Sequence, residues 1–177
     1  MLKHGLIQIY TGDGKGKTTA ALGQAFRAVG NGLKVCIFQF LKDKNCKSGE
    51  LISAEKFKDS LKIIRGKQIH PGFTKKPLNR GLIKDINKMV KDVSKIMKSK
   101  KYDIIILDEI NNCISDDFIS IKKILKILDE KPNNVELILT GRNVPDEIIE
   151  KADLVTNMIL VKHPYQTGIK ARAGIEY

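Results

Sequence analysis

A chain of 177 residues is long enough for one domain that buries roughly two-thirds of its unfolded surface. Its 42% hydrophobic and 29% charged residues exclude a disordered chain or a fibrous repeat, and its apolar runs fall far short of the ~20 residues a membrane span requires. The net charge of +12 invites a nucleic-acid reading, but the lysines are scattered, aromatics are only 6% with no Trp, and arginine appears only at Arg27, Arg65, Arg80, Arg142 and Arg172. That pattern argues against a nucleic-acid partner, and nothing points to a membrane.

In chain order, the first strand is expected at "LIQIY" (residues 6–10), followed by a glycine-rich loop and a helix over 17–29 that "GNG" stops. A strand "KVCIFQF" (34–40) leads into the polar stretch "KDKNCKSGE" (42–50), and "LKIIRG" (61–66) leads into "KQIHPGFTKKPLN" (67–79). Both polar stretches follow strands, where open α/β sheets place ligand-contacting loops. Leu82, Ile83, Ile86, Met89, Val90, Val93, Ile96 and Met97 recur at helical spacing and form a core-facing stripe.

Next come the strand "DIIILDE" (103–109) and a helix after Ser115 that turns Phe118, Ile121, Ile124, Leu125 and Leu128 inward and ends before Pro132. "VELILTG" (135–141), a short helix from about Pro145, and "LVTNMILV" (154–161) complete the regular elements. Most strands are near-continuously apolar, as strands covered on both faces are. The alternation predicts an α/β doubly wound, mostly parallel sheet in a single domain, 1–177. The tail "KHPYQTGIKARAGIEY" shows neither period. Cys36, Cys46 and Cys113 lack metal or redox spacing and read as ordinary thiols, and "MLKHGLIQIYTG" lacks a signal-peptide pattern, so the expected location is the cytoplasm.

"TGDGKGKTT" carries the chemistry. Gly12, Gly14 and Gly16 allow backbone N–H groups to crowd toward an anion, and the following helix points its first amides the same way. Lys17 adds a positive charge and the Thr18 hydroxyl can ligate magnesium. The usual phosphate-loop pattern opens on glycine, whereas here Thr11 stands at that position. Asp108 and Glu109, closing an apolar strand, supply the acidic element that magnesium sites of such nucleotide enzymes use. His4, His70 and His163 form no obvious acid–base set, and the residues by themselves stop at a magnesium nucleotide enzyme, with an ATPase or kinase and a nucleotide-controlled nucleic-acid binder still open.

The motifs "YTGDGKGKTTAALGQAFRAVGNG", "VCIFQFLK", "GFT", "DIIILDEIN", "ELILTGRN" and "VKHPYQTGIKARAGIEY" together resemble, in the same order, the P-loop type of ATP:corrinoid adenosyltransferase. The threonine ahead of "GDGKGKTT" is itself a mark of that family. The resemblance implies a P-loop NTPase-like (RecA-like) fold and transfer of the adenosyl group of ATP to Co(I) of a reduced corrinoid, with inorganic triphosphate as leaving group. It assigns Gly12, Asp13, Gly14, Lys15, Gly16, Lys17, Thr18, Thr19 and Arg27 to ATP. Magnesium falls to Thr18 and Glu109 with Asp108 in support, and the catalytic set is Lys17, Thr18 and Glu109.

The resemblance further implies a homodimer and an electron-donating partner such as a flavodoxin. Phe73 matches the first aromatic of a "GFTW"-like loop that displaces the lower axial ligand of cobalt, but Lys75 stands where the family has tryptophan. This departure implies a different corrinoid, a weaker activation of cobalt, or a loop displaced by a residue or two. The sequence also begins almost at the first strand, without the N-terminal helical extension of some relatives, which implies looser closure over the corrinoid or help from a partner subunit.

Overall fold

A computed structural model describes residues 2–67 and 80–177. Six parallel strands form the sheet: β1 (Ile7–Thr11), β2 (Val35–Asp43), β3 (Leu61–Gly66), β4 (Ile104–Asp108), β5 (Glu136–Thr140) and β6 (Leu154–Asn157), in the spatial order β3-β2-β4-β5-β1-β6. The expected doubly wound α/β sheet is present, and it is parallel throughout the described residues.

Two apolar layers cover it. On one face, α1 (Lys17–Gly30) presents Ala21, Ala25 and Ala28, small side chains at helical spacing that let its backbone lie close to Val35, Ile37, Ile104, Ile106 and Ile138. The opposite face carries α3 (Arg80–Lys98), α4 (Ile110–Ser115) and α5 (Ile121–Asp129), with α2 (Gly49–Lys56) beside β3 and α6 (Asp146–Ile149) ahead of β6. The predicted stripe of α3 is buried at Leu82, Ile86, Met89, Val90, Val93 and Met97.

Several boundaries differ from the sequence reading. β2 runs three residues beyond Phe40, into the segment expected to be loop, because an irregularity between Gln39 and Asp43 lets it keep pairing with β3. Phe118 is buried ahead of α5 rather than within it, and α2 and α4, short and weakly periodic, were not anticipated. β6 stops at Asn157 with all its residues exposed, since it is an edge strand and not a covered one. Cys36 and Cys113 are buried and Cys46 is exposed, all as free thiols. Among the described residues, no helix is long and apolar enough to cross a membrane.

The strand order places the carboxyl ends of β2, β4, β5 and β1 side by side. Gln39 lies opposite Asp108, and Tyr10 lies opposite Thr140. The loop after β1 and the acids after β4 are therefore separated by one strand, whose last residue is a threonine.

Candidate active site

The chain leaves β1 at Thr11 and enters α1 at Lys17. Gly16, with φ at 126°, is the residue ahead of the helix and adopts a backbone that a side chain would strain. Gly14 is required for a different reason. A Cβ there would lie 2.7 Å from the carbonyl oxygens of both Met158 and Ile159, and its N–H donates to the Met158 carbonyl at 2.7 Å. The loop is thus pinned against the segment leaving β6. Lys17 folds back over it, its Nζ donating to the carbonyls of Gly12 (2.5 Å) and Gly14 (2.8 Å) with an N–H left for a ligand. Burial, reinforced by the Arg142 charge, holds this ammonium below the usual lysine range.

Asp108 is 1% exposed, and both its oxygens are occupied. Oδ1 accepts from the Thr18 hydroxyl at 2.7 Å and the Thr140 hydroxyl at 2.8 Å, while Oδ2 accepts from Lys42 Nζ at 3.0 Å and Gln39 Nε2 at 3.2 Å. Burial pushes its pKa up, but the Lys42 charge and these hydrogen bonds outweigh burial and hold the carboxyl below the ordinary aspartate range. It is held as the carboxylate and directed at the first turn of α1 through Thr18.

Glu109 behaves oppositely. Its φ of 67° is left-handed, a strained conformation for glutamate, and its N–H is held by the Thr140 hydroxyl at 2.9 Å. That turn sends the neighbouring carboxylates different ways: Asp108 into a closed network and Glu109 to the cleft wall, where no hydrogen bond from a described residue reaches its carboxylate. Burial, and then the Asp108 charge, raise its pKa.

The loop and Glu109 line a cleft of about 690 Å³, within the ~300–1,000 Å³ usual for small-molecule sites, whereas Gly12 and the buried Asp108 are not among its lining residues. Asp13, Gly14, Lys15, Gly16, Lys17, Thr18, Thr19 and Glu109 all border it. The tail borders it too, as Glu176 pairs with Lys15 at 2.8 Å and with Arg172 at 3.1 Å. His163 is a lining residue whose Nδ1 accepts from the Tyr165 N–H at 3.1 Å.

Arg27 is not brought into this group. It lies exposed in the last turn of α1, roughly 15 Å along the helix axis from Lys17, and does not line the cleft. Phe73 and Lys75 lie outside the described residues. Lys42, Thr140, Gln39, Glu50, Arg65 and Arg142 went unnoticed as site residues. For Lys42 and Thr140 a signal existed, namely a polar residue closing an apolar strand, in "FQFLK" and "LILTG".

A glycine-rich loop with its lysine, a clamped aspartate and an adjacent carboxylate that accepts no hydrogen bond from a described residue form a candidate site for an anion and a cation, and leave its reaction open. The family model described as ATP:corrinoid adenosyltransferase BtuR/CobO/CobP matches residues 3–177. The chain belongs to the ATP:corrinoid adenosyltransferase family. A corrinoid adenosyltransferase of Sinorhizobium sp is 34% identical over 177 residues, covering 98% of this chain and 80% of that protein. One from Escherichia coli K12 is 34% identical over 176 residues, covering 99% and 87%.

Solved structures similar to this adenosyltransferase family member include a KaiC-like protein from Pyrococcus horikoshii OT3 (TM-score 0.57, 15% identity, 92% of this chain and 76% of the other). The flagellar accessory protein FlaH from Methanocaldococcus jannaschii is another (TM-score 0.55, 18% identity, 88% and 72%). At such identities they speak to the fold alone, which is the P-loop NTPase arrangement expected for the family.

Proposed function

We propose that this chain transfers the 5′-deoxyadenosyl group of ATP to the Co(I) centre of a reduced corrinoid and releases inorganic triphosphate. The observation that carries the reading is the convergence of the phosphate loop, the Asp108–Thr18 contact and the free Glu109 carboxylate in one cleft of a chain matched to the family over 3–177. The cobalt electron pair forms the bond to C5′ as the C5′–O bond breaks, its electrons leaving with the triphosphate. No proton has to be taken from this nucleophile, so the protein is asked for alignment and for offsetting charge.

Lys17 and the first amides of α1 hold the triphosphate. The donor set fits magnesium: the Thr18 hydroxyl donates its hydrogen bond to Asp108 and keeps lone pairs, and the Glu109 carboxylate, which accepts no hydrogen bond from a described residue, offers oxygen ligands. Thr18 and Glu109 would hold the ion, with Asp108 orienting Thr18. When bound, magnesium offsets negative charge on the phosphates. Phe73 contacts the corrinoid, and Arg27 is given no nucleotide contact within its own protomer. The chain works as one adenosyltransferase domain, 1–177, in a cytoplasmic homodimer supplied with electrons by a reductant protein such as a flavodoxin.

The test is anaerobic incubation with magnesium, ATP and chemically reduced corrinoid, following the corrinoid spectrum and identifying the phosphate product. Adenosylcorrinoid with intact triphosphate is expected. Phosphate release without change at cobalt would overturn the proposal in favour of an ATPase.

A further inference from the structure

Lys42 has no part in the reading above, yet the fold makes a specific effort to place it. Along β2, Cys36, Phe38 and Phe40 face one apolar layer while Val35 and Ile37 face the other, and Gln39 reaches Asp108. Regular alternation would send Leu41 to the Gln39 side and Lys42 into the first layer. Instead Leu41 adopts a left-handed backbone (φ 59°) within the irregularity between Gln39 and Asp43, and it packs with Phe40. The bulge therefore turns Lys42 to the Gln39 side, at the mouth of the cleft.

Its ammonium is anchored by Asp108 Oδ2 at 3.0 Å and lies 3.9 Å from Glu50 Oε1. Glu50 already has a partner in Arg65 at 2.9 Å, a pair whose side chains are 16% and 3% exposed. Lys42 itself is 30% exposed, against 1% for Asp108, so it stands between the buried acid and the cleft. An ammonium has three N–H donors, and one suffices for Asp108.

We infer that Lys42 is a second triphosphate-binding lysine of the cleft, aimed by the β2 bulge, anchored on Asp108, and facing the polyphosphate from the β2 and β4 side. The ligand's identity rests on the adenosyl-transfer reading. Arg65 offsets Glu50, Lys42 offsets Asp108, Lys15 pairs with Glu176 and Arg142 lies 3.5 Å from Asp13, so Lys17 faces Glu109 in a lining whose charges balance before a polyanion enters.

The test is calorimetric binding of inorganic triphosphate with chelator present, which removes metal from the comparison. Lys42→Met is expected to weaken binding on the order of 10-fold or more, with Lys42→Arg recovering part of it. The double variant Lys42→Met with Asp108→Asn is expected to stay weak. Recovery of wild-type affinity there would overturn the inference, since Lys42 would then be only a counter-ion for Asp108. Affinity of Lys42→Met within about 2-fold of wild type would overturn it as well.

If the single variant fails to fold by circular dichroism, the double variant, which removes both charges, and Lys42→Arg decide the matter by the same criteria. Wild-type protein that binds triphosphate and adenosylates corrinoid alongside an unaffected Lys42→Met sinks the Lys42 assignment alone. Wild-type protein that binds no triphosphate overturns the Lys42 assignment, and only failure of the adenosylation assay sinks the adenosyl-transfer reading.

Discussion

Replacing Arg65 by methionine removes a buried hub beneath the cleft. Its Nε donates to Gln39 Oε1 at 2.6 Å, Nη1 to the Cys46 carbonyl at 2.7 Å, and Nη2 to Ser48 Oγ at 2.6 Å and Glu50 Oε1 at 2.9 Å. Methionine fills much of the volume and replaces none of the donors, leaving the Glu50 carboxylate with Gln39 Nε2 at 3.2 Å and, as its cation, only the more distant Lys42 at 3.9 Å. Breaking a buried pair by removing one partner costs about 3–5 kcal/mol, and the residual exposure of Glu50 argues for the low end, ~3 kcal/mol.

In a domain of this size each kcal/mol lowers the melting temperature by about 2–4 °C, so a fall of about 6–12 °C is expected. The assay is calorimetric or circular-dichroism melting of metal-free protein. Arg65→Lys, which keeps the charge and loses the fork, should show roughly half the loss. A cooperative transition within about 2 °C of wild type for Arg65→Met would refute the claim that this network carries structural free energy.

Three further outcomes are expected. Glu109→Gln should raise the melting temperature of metal-free protein near pH 7.5 while lowering magnesium-dependent ATP affinity by about 10-fold or more. The sign follows from a folded pKa raised by burial and by Asp108: the penalty is absent below the unfolded glutamate pKa of about 4.3, grows as pH rises toward the folded value, and persists above it. The stabilisation should accordingly vanish below about pH 4, and a gain that is flat with pH would contradict the assignment. Lys17→Ala should weaken triphosphate binding and adenosylation together, on the order of 10- to 100-fold, and full activity would remove the loop from the mechanism. Phe73→Ala should impair corrinoid adenosylation with ATP binding largely intact, and equal loss of both would mark the loop as structural.

Much of this protein was open to reading before any coordinates. Short apolar runs separated by helical periods imply a parallel sheet because strands buried on both faces lose their alternation, and the α3 stripe names its own buried side. "GDGKGKTT" declares a phosphate loop through the steric freedom of glycine and the chemistry of Lys17 and Thr18. The acids of "LDE" were legible as a pair, though not in their division of labour. The left-handed turn at Glu109 decides that division, and a backbone torsion of a non-glycine residue leaves no local mark.

Tertiary structure alone decided what surrounds them. Thr140 bridges Asp108 and the Glu109 backbone because β5 lies between β4 and β1, an ordering set by long-range pairing. Lys42 enters the cleft because a bulge breaks the strand period at Leu41, and Arg65 joins Gln39 and Glu50 across 26 and 15 residues of chain. Sequence by itself determined the loop, the strands and the types of group on offer, since these follow from local conformation and periodicity. Which of these groups meet depended on sheet order and register, which only the packed chain establishes.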